Sequence, residues 1–134
     1  MKSSKTRQLL LGVCALVFSG IAGASLMAPH VMAEGLGYRL DTVDALSEFR
    51  AVYVGLWAAT AACLVVALRR VEQALLGDLC ALLVLGQASG RILSLLLDGS
   101  PSRRIWPMLI LETLGGLALL VVRPSSGPLA RRGD

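Results

Sequence analysis

Polar side chains recur along one apolar segment of the sequence, residues 73–97, and at the residue that follows it. Gln87, Arg91, Ser94 and Asp98 are separated by three or four positions, so on a helix they lie within about 60° of one another. An arginine in a membrane helix is costly, and it is expected to face protein or water rather than lipid. The pattern therefore predicts a polar stripe on the inward face of a helix.

A carboxylate that could pair with Arg91 lies in the next apolar segment, residues 105–122. Glu112 is seven residues from the outer end of that segment, and Arg91 is six residues from the outer end of its own. At about 1.5 Å per residue, the two charges have similar depths in antiparallel neighbouring helices. We therefore expect an ion pair, which could form a functional site or could only fix the helix register.

Further candidate residues lie at the start of another apolar segment, residues 47–68. Glu48 and Arg50 are in its first turn and Tyr53 follows. We expect these side chains, with Asp98, to surround the outer mouth of a pocket that contains the pair. Such a cluster could bind a polar head group, carry protons, or supply an acid or base.

Small residues accompany the charges on faces where helices are expected to meet. Glycine, alanine and serine allow the backbones of membrane helices to approach closely. The predicted packing positions are Ala15, Ser19, Gly23, Gly55, Gly86, Gly90, Gly115 and Gly116.

The composition indicates that membrane helices position these residues. Of 134 residues, 55% are hydrophobic and 16% are charged, which is rare for a soluble domain. A membrane span needs about 20 mostly apolar residues and must be helical in lipid. The predicted spans are residues 8–28, 47–68, 73–97 and 105–122. The first has a basic start and a signal-like "VMA" at residues 31–33, but it is longer than a typical signal segment, so we expect it to be retained.

The basic residues predict the orientation of these helices. Eight lysines and arginines flank the spans on the side of the termini, and four lie on the other side, so both termini are predicted to be cytoplasmic. The predicted fold is all-α: an integral membrane four-helix bundle of up-down topology over residues 8–122. A basic cytoplasmic segment at 1–7 precedes it, and a flexible cytoplasmic tail at 123–134 follows. The expected location is the inner (plasma) membrane, with several membrane passes.

Other kinds of site are not indicated. The sequence has no phosphate-binding loop, nucleophile elbow, haem motif or zinc motif, and the spacings of Cys14, Cys63 and Cys80 match no zinc pattern. We predict no metal, no cofactor and no catalytic residue. The basic residues lie at the ends of apolar segments rather than among aromatic residues, so we expect no nucleic-acid partner.

The candidate residues also resemble a known family. The pattern ExRxxYxG occurs at Glu48, Arg50, Tyr53 and Gly55, and GRxxSxxxDGxPS occurs at residues 90–102. With Glu112 in the last helix, the chain resembles the DUF4345 family of small bacterial four-helix membrane proteins over roughly residues 8–122. The family usually has two glycines after the tyrosine, whereas here Val54 precedes Gly55. The resemblance implies the fold and the importance of these positions, and it implies no reaction.

These features predict a small non-catalytic membrane protein, an accessory or scaffold module whose outer-half polar pocket binds a lipid or small amphipathic ligand. The alternatives are a small transporter and an intramembrane enzyme, each using Arg91 and Glu112. The expected partners are the lipid bilayer, the ligand, and another membrane protein or a second copy. Whether Arg91 and Glu112 close on each other or line an open cavity discriminates between these functions.

Overall fold

The computed structural model describes residues 2–124, which form helices and turns without a β-strand. The all-α prediction is therefore confirmed. The elements are α1 (Lys2–Met27), α2 (Pro29–Gly35), α3 (Val43–Arg50), the π segment (Ala51–Leu56, a π-helix), α4 (Trp57–Arg69), α5 (Ala74–Asp98) and α6 (Trp106–Val121). Of the tail predicted at 123–134, residues 125–134 lie outside the described residues.

Three helices are long and apolar enough to cross a membrane, by length and composition. They are Ser4–Met27, Val43–Arg69 and Ala74–Asp98. The second runs without a break through α3, the π segment and α4. The fourth predicted span is represented by α6, an apolar helix of 16 residues. At about 1.5 Å per residue it is roughly 24 Å long, somewhat less than the thickness of a typical hydrocarbon core.

The inward face of α1 follows mixed steps of three and four residues, which keep side chains on one side of a helix. Its buried residues are Arg7, Leu11, Ala15, Phe18, Ala22 and Ser25. The packing stripe predicted from the sequence, Ala15, Ser19 and Gly23, has a constant spacing of four residues. Each step of four turns about 40° around the helix, so the stripe drifts away from the buried face. Ala15 is therefore buried, whereas Ser19 is exposed and Gly23 is half-buried with open space beside it.

The helices pack in two pairs. α1 lies mainly against α4, α5 lies mainly against α6, and contacts between α4 and α5 join the pairs. The core between them includes Leu11, Leu64, Ala81, Val84 and Leu119. The outward faces are rich in leucine and valine, many of them more than half exposed.

One end of the molecule is closed by a buried arginine. Arg7 is 2% exposed, and its guanidinium donates to the carbonyl oxygens of Val122 at 3.4 Å and Gln73 at 3.2 Å. The start of α1, the start of α5 and the end of α6 therefore meet at this end. Because α1 already begins at Lys2, Arg7 belongs to a packed helix, although the sequence placed it in a basic flanking segment at 1–7.

Candidate functional site

The site is built around an ion pair between α5 and α6. Nε of Arg91 donates to Glu112 Oε2 at 2.8 Å, and Nη2 donates to Oε1 at 3.0 Å. The side chain of Glu112 is 8% exposed and that of Arg91 is 22% exposed. The predicted ion pair is confirmed, and its two parallel bonds give the strong fork-to-fork geometry of arginine and carboxylate.

A pocket of about 440 Å³ lies beside this pair, between the start of α4 and the second half of α5. The lining includes Arg91 but not Glu112, so the carboxylate lies behind the guanidinium as seen from the pocket. We call this cavity the polar pocket. Its lining residues are Tyr38, Val52, Tyr53, Leu56, Trp57, Gln87, Gly90, Arg91, Ser94, Leu95, Pro101 and Ile105.

The polar stripe of α5 reaches the pocket over most of its length. Gln87, Arg91 and Ser94 all line the cavity, as expected for residues on one face of a helix. Asp98 does not line it. This residue is exposed at the end of α5, where its carboxylate accepts a hydrogen bond of 3.0 Å from the Ser94 hydroxyl.

Tyr38, Tyr53 and Trp57 form the opposite wall, and they belong to a larger aromatic cluster. Of the six aromatic residues in the chain, five are linked by ring contacts, namely Phe18, Tyr38, Phe49, Tyr53 and Trp57. Tyr53 is at the centre, because it stacks on Phe49 at a ring-centroid distance of 4.5 Å and on Trp57 at 6.0 Å. Its hydroxyl donates to that of Tyr38 at 3.3 Å, which ties the loop after α2 to the pocket.

The π segment accounts for which residues face the pocket. A π turn is closed by hydrogen bonds between residues five apart and holds more residues than an α turn, so residues three apart, such as Arg50 and Tyr53, diverge while residues four apart stay on one face. Phe49, Tyr53 and Trp57 are four apart and share the inward face. Glu48 and Arg50 flank Phe49 on either side, and both are exposed and do not line the pocket. Glu48 and Arg50 therefore do not reach the pocket that was predicted to lie between them and Arg91, whereas Tyr53 lines it.

Two buried polar atoms in the wall have no partner among the described residues. They are the indole nitrogen Nε1 of Trp57 and the amide oxygen Oε1 of Gln87. Trp57 is 8% exposed, and both residues line the pocket. A buried polar group without a hydrogen bond is costly, and a bound molecule or water can supply the missing partner.

The predicted packing glycines separate into two groups. Gly116 is buried, and a Cβ built on it would lie 2.5 Å from Cγ of Leu85. Gly86, Gly90 and Gly115 have no atom of another part of the chain within 4 Å of such a Cβ. α6 crosses α5 at Leu85 and Ala81. Within the described chain, no neighbouring helix therefore packs closely against these three glycines. Gly55 is also exposed, on the side of the helix opposite to Tyr53.

Three contributions to the site and its support were not expected from the sequence. Tyr38 lies in a loop whose course no local pattern indicates, and Phe49 occupies an unspecified position between the charges of the ExRxxYxG pattern. The basic N-terminal segment predicts Arg7 to be a flanking charge. Its spacing of four from Leu11 and eight from Ala15 was a signal that it continues the inward stripe of α1.

The cysteines lie away from the polar pocket, and no thiol lines it. Cys14 is half-buried, Cys63 is exposed and Cys80 is buried. Among residues 2–124, no group of three or more histidine, cysteine, aspartate or glutamate side chains is placed to hold a metal ion.

The model of a family described as a domain of unknown function, DUF4345, matches residues 6–123. No curated protein and no solved structure matches the chain.

Proposed function

The chain belongs to the DUF4345 family, and from this premise we propose that it is a non-catalytic membrane module that binds a lipid or small amphipathic ligand in the polar pocket. In this proposal it is an integral, multi-pass protein of the inner membrane. Four helices span the bilayer in up-down order, and both termini are cytoplasmic. The module serves as an accessory or scaffold subunit for another membrane protein or for a second copy.

The outer surface supports the membrane part of the proposal. Large apolar side chains point away from the core, as with Leu16 at 75% and Leu96 at 76% exposure. Exposed apolar faces of this extent suit lipid and are unfavourable in water. α6 completes the span by packing along α5, and its shorter length can be accommodated by local thinning of the bilayer.

The arrangement of the chain ends supports the proposed topology. Arg7 in α1 contacts Val122 at the end of α6, so both termini of the described chain lie at one end. Arg69 ends α4 and Arg70 follows it, near the start of α5, which also meets Arg7 through Gln73. The more basic end is expected to face the cytoplasm.

The observation that carries the ligand-binding proposal is the unpaired indole N–H of Trp57, buried in the wall of the polar pocket. It is accompanied there by the unpaired oxygen of Gln87. A pocket with an apolar lining and a few convergent polar groups is the usual form of a small-molecule site. Its volume of about 440 Å³ is within the range of roughly 300–1,000 Å³ that such sites occupy.

The ion pair supports binding over transport or catalysis. Arg91 and Glu112 close on each other through two hydrogen bonds, so neither presents an open charge to a substrate. Between the pocket and Arg7 the core is apolar, with Leu64, Val84 and Leu119 buried. A transporter would need a polar path through this region.

The test is to identify what copurifies with the tagged protein from its native membrane, by mass spectrometry of lipids and proteins. We expect one amphipathic species to be enriched over the bulk membrane. Gln87→Leu with Trp57→Phe should abolish the enrichment, because it removes both unpaired polar groups. Leu96→Ala, on the outer face, is the matched control and should keep it. Bulk lipid composition with every variant would contradict the proposal.

A further inference from the structure

The polar groups of the pocket also specify the head of its ligand, an inference that rests on the proposed function. We propose that the polar pocket takes a neutral amphipathic molecule whose head carries a hydrogen-bond-accepting carbonyl oxygen, in preference to a charged head group. The inference comes from the charge balance, from the unpaired donors and from the apolar part of the lining.

The charge balance of the pocket disfavours an ionic head. Among the described residues that line the pocket, Arg91 alone is charged, and its charge is already matched by Glu112 at 2.8 Å. An anion added beside this pair would leave a net negative charge in a cavity whose other lining residues are uncharged and largely apolar. A cation would lie against the guanidinium. Desolvation of an unmatched charge is costly in both cases, so a neutral head is favoured.

The free hydrogen-bonding groups call for an acceptor on the ligand. The indole nitrogen of Trp57 can only donate, and it has no acceptor among the described residues. Arg91 uses Nε and Nη2 for Glu112, which leaves the donors of Nη1. A carbonyl oxygen can accept two hydrogen bonds and is the neutral group that matches these donors. The amide of Gln87 can donate to or accept from a second polar atom of the head.

The apolar part of the lining provides a place for the tail. Val52 and Leu56 line the pocket, and each is also 42% exposed on the surface of the helix. Leu95 lines the same cavity from α5. A chain that leaves the pocket across Val52 and Leu56 therefore reaches the apolar outer surface, while its head stays beside Trp57. This geometry fits a single-chain amphipathic molecule.

The experiment uses the two tryptophans of the chain as matched reporters. The Trp106→Phe protein retains only Trp57, in the wall of the pocket, whereas the wild-type protein also carries Trp106, which is 37% exposed, so the difference between their spectra reports Trp106 beside an intact pocket. Each protein in detergent micelles is titrated with methyl decanoate, decyl phosphate and decyltrimethylammonium. These probes differ in the head and share a chain of similar length. The fluorescence of each tryptophan reports occupancy of its surroundings.

We expect methyl decanoate to shift Trp57 emission saturably, at a concentration about tenfold lower than either charged probe. This ratio corresponds to one or two matched hydrogen bonds. Trp106 should respond weakly and without saturation. Gln87→Leu in the Trp106→Phe background should weaken binding of the ester by several-fold.

Two other outcomes separate the two proposals. If decyl phosphate or decyltrimethylammonium bound saturably and as tightly as the ester, the preference for a neutral head group would be overturned. The proposal that the polar pocket binds a ligand would still hold. The same saturable response of Trp57 and Trp106 to every probe, or no response of Trp57, would overturn both the neutral head and the pocket as a binding site.

Discussion

The guanidinium of Arg7 lies directly against Gly77, where α1 meets the first turn of α5. A Cβ built on Gly77 would be 2.5 Å from Nη2 of Arg7 and 3.2 Å from Cζ. Glycine at this position thus leaves the room that the arginine occupies. The Arg7 side chain cannot easily move aside, because it is almost fully buried and bonded to the carbonyl oxygens of Gln73 and Val122.

Gly77→Ala is therefore expected to destabilise the protein by about 1–3 kcal/mol, the usual range for overpacking. The measurement is unfolding by SDS in mixed micelles, followed by circular dichroism. Gly86→Ala is the matched control in the same helix, since its Cβ would meet nothing within 4 Å. It should be neutral or stabilising by up to about 1 kcal/mol, because alanine is the better helix former. Equal effects of the two substitutions would show that Arg7 does not occupy this space.

Gly115 and Gly116 provide a second matched pair, on adjacent positions of α6. A methyl group on Gly116 would overlap the side chain of Leu85, whereas one on Gly115 has open space. Gly116→Ala should cost about 1–3 kcal/mol, and Gly115→Ala should cost nothing. Combining Gly116→Ala with Leu85→Ala should recover part of the loss, as measured by the same SDS unfolding. A larger loss from Gly115→Ala would mean that α6 presents a different face to α5.

Tyr53 is expected to stabilise the fold through its ring more than through its hydroxyl. The ring stacks on Phe49 and Trp57, and aromatic pairs contribute about 0.5–1.5 kcal/mol each. Tyr53→Leu should therefore lose about 1–3 kcal/mol. Tyr53→Phe keeps both stacks and loses the hydrogen bond to Tyr38, so it should lose no more than about 1 kcal/mol. The free energies of unfolding of both variants, compared with that of wild type, separate the contribution of the ring from that of the hydroxyl. Equal losses of stability in the two variants would contradict the prediction that the ring contributes more.

The sequence predicted the parts of the structure that depend on composition and helical periodicity. The hydrophobic segments located the apolar helices, and matched depth along antiparallel helices was enough to pair Arg91 with Glu112. The stripe at Gln87, Arg91 and Ser94 followed from the period of a regular α-helix. These inferences need only the rise and the turn of a regular helix.

The wall formed by the aromatic cluster could not be predicted in the same way. It depends on the π segment, which changes the helical period locally, and no residue type in Ala51–Leu56 identifies a π turn. With a regular period Arg50 shares a face with Tyr53 and Trp57, whereas the structure places Phe49 there. Tyr38 reaches the pocket through the course of a loop, which depends on tertiary contacts rather than on local sequence.

The proposed topology leads to an alternating pattern of reporter activity. Fusions of alkaline phosphatase after Ala33 and Ser102 should be active, because this enzyme folds only outside the cytoplasm. Fusions after Arg70 and Asp134 should be inactive, and a green fluorescent reporter should give the inverse pattern. The expectation follows from the basic residues at the end where Arg7 lies. An active phosphatase after Asp134 would place the C-terminus outside and contradict the four-span topology.

The ion pair between Arg91 and Glu112 leads to the prediction that bears most directly on function. Removing one partner leaves the other buried and unmatched, which costs about 3–5 kcal/mol when the charge is well desolvated. Arg91→Ala should be the more damaging variant, because the charge that it leaves unpaired is that of Glu112, whose side chain is only 8% exposed. Glu112→Ala leaves Arg91 unpaired, and that side chain is 22% exposed. Glu112→Ala leaves an arginine that already lines the polar pocket and can turn toward water there.

Arg91→Leu combined with Glu112→Leu should recover much of the lost stability, since two apolar side chains leave no charge unmatched. The recovery is measured by SDS unfolding, and ligand retention is measured by mass spectrometry of the purified protein. Under the proposed function the double variant is folded but loses its ligand, because Arg91 no longer lines the pocket as a donor. A folded double variant that retains the ligand would show that the pair only fixes the packing of α5 on α6. A double variant less stable than Arg91→Ala would show that the two side chains do not act as a pair.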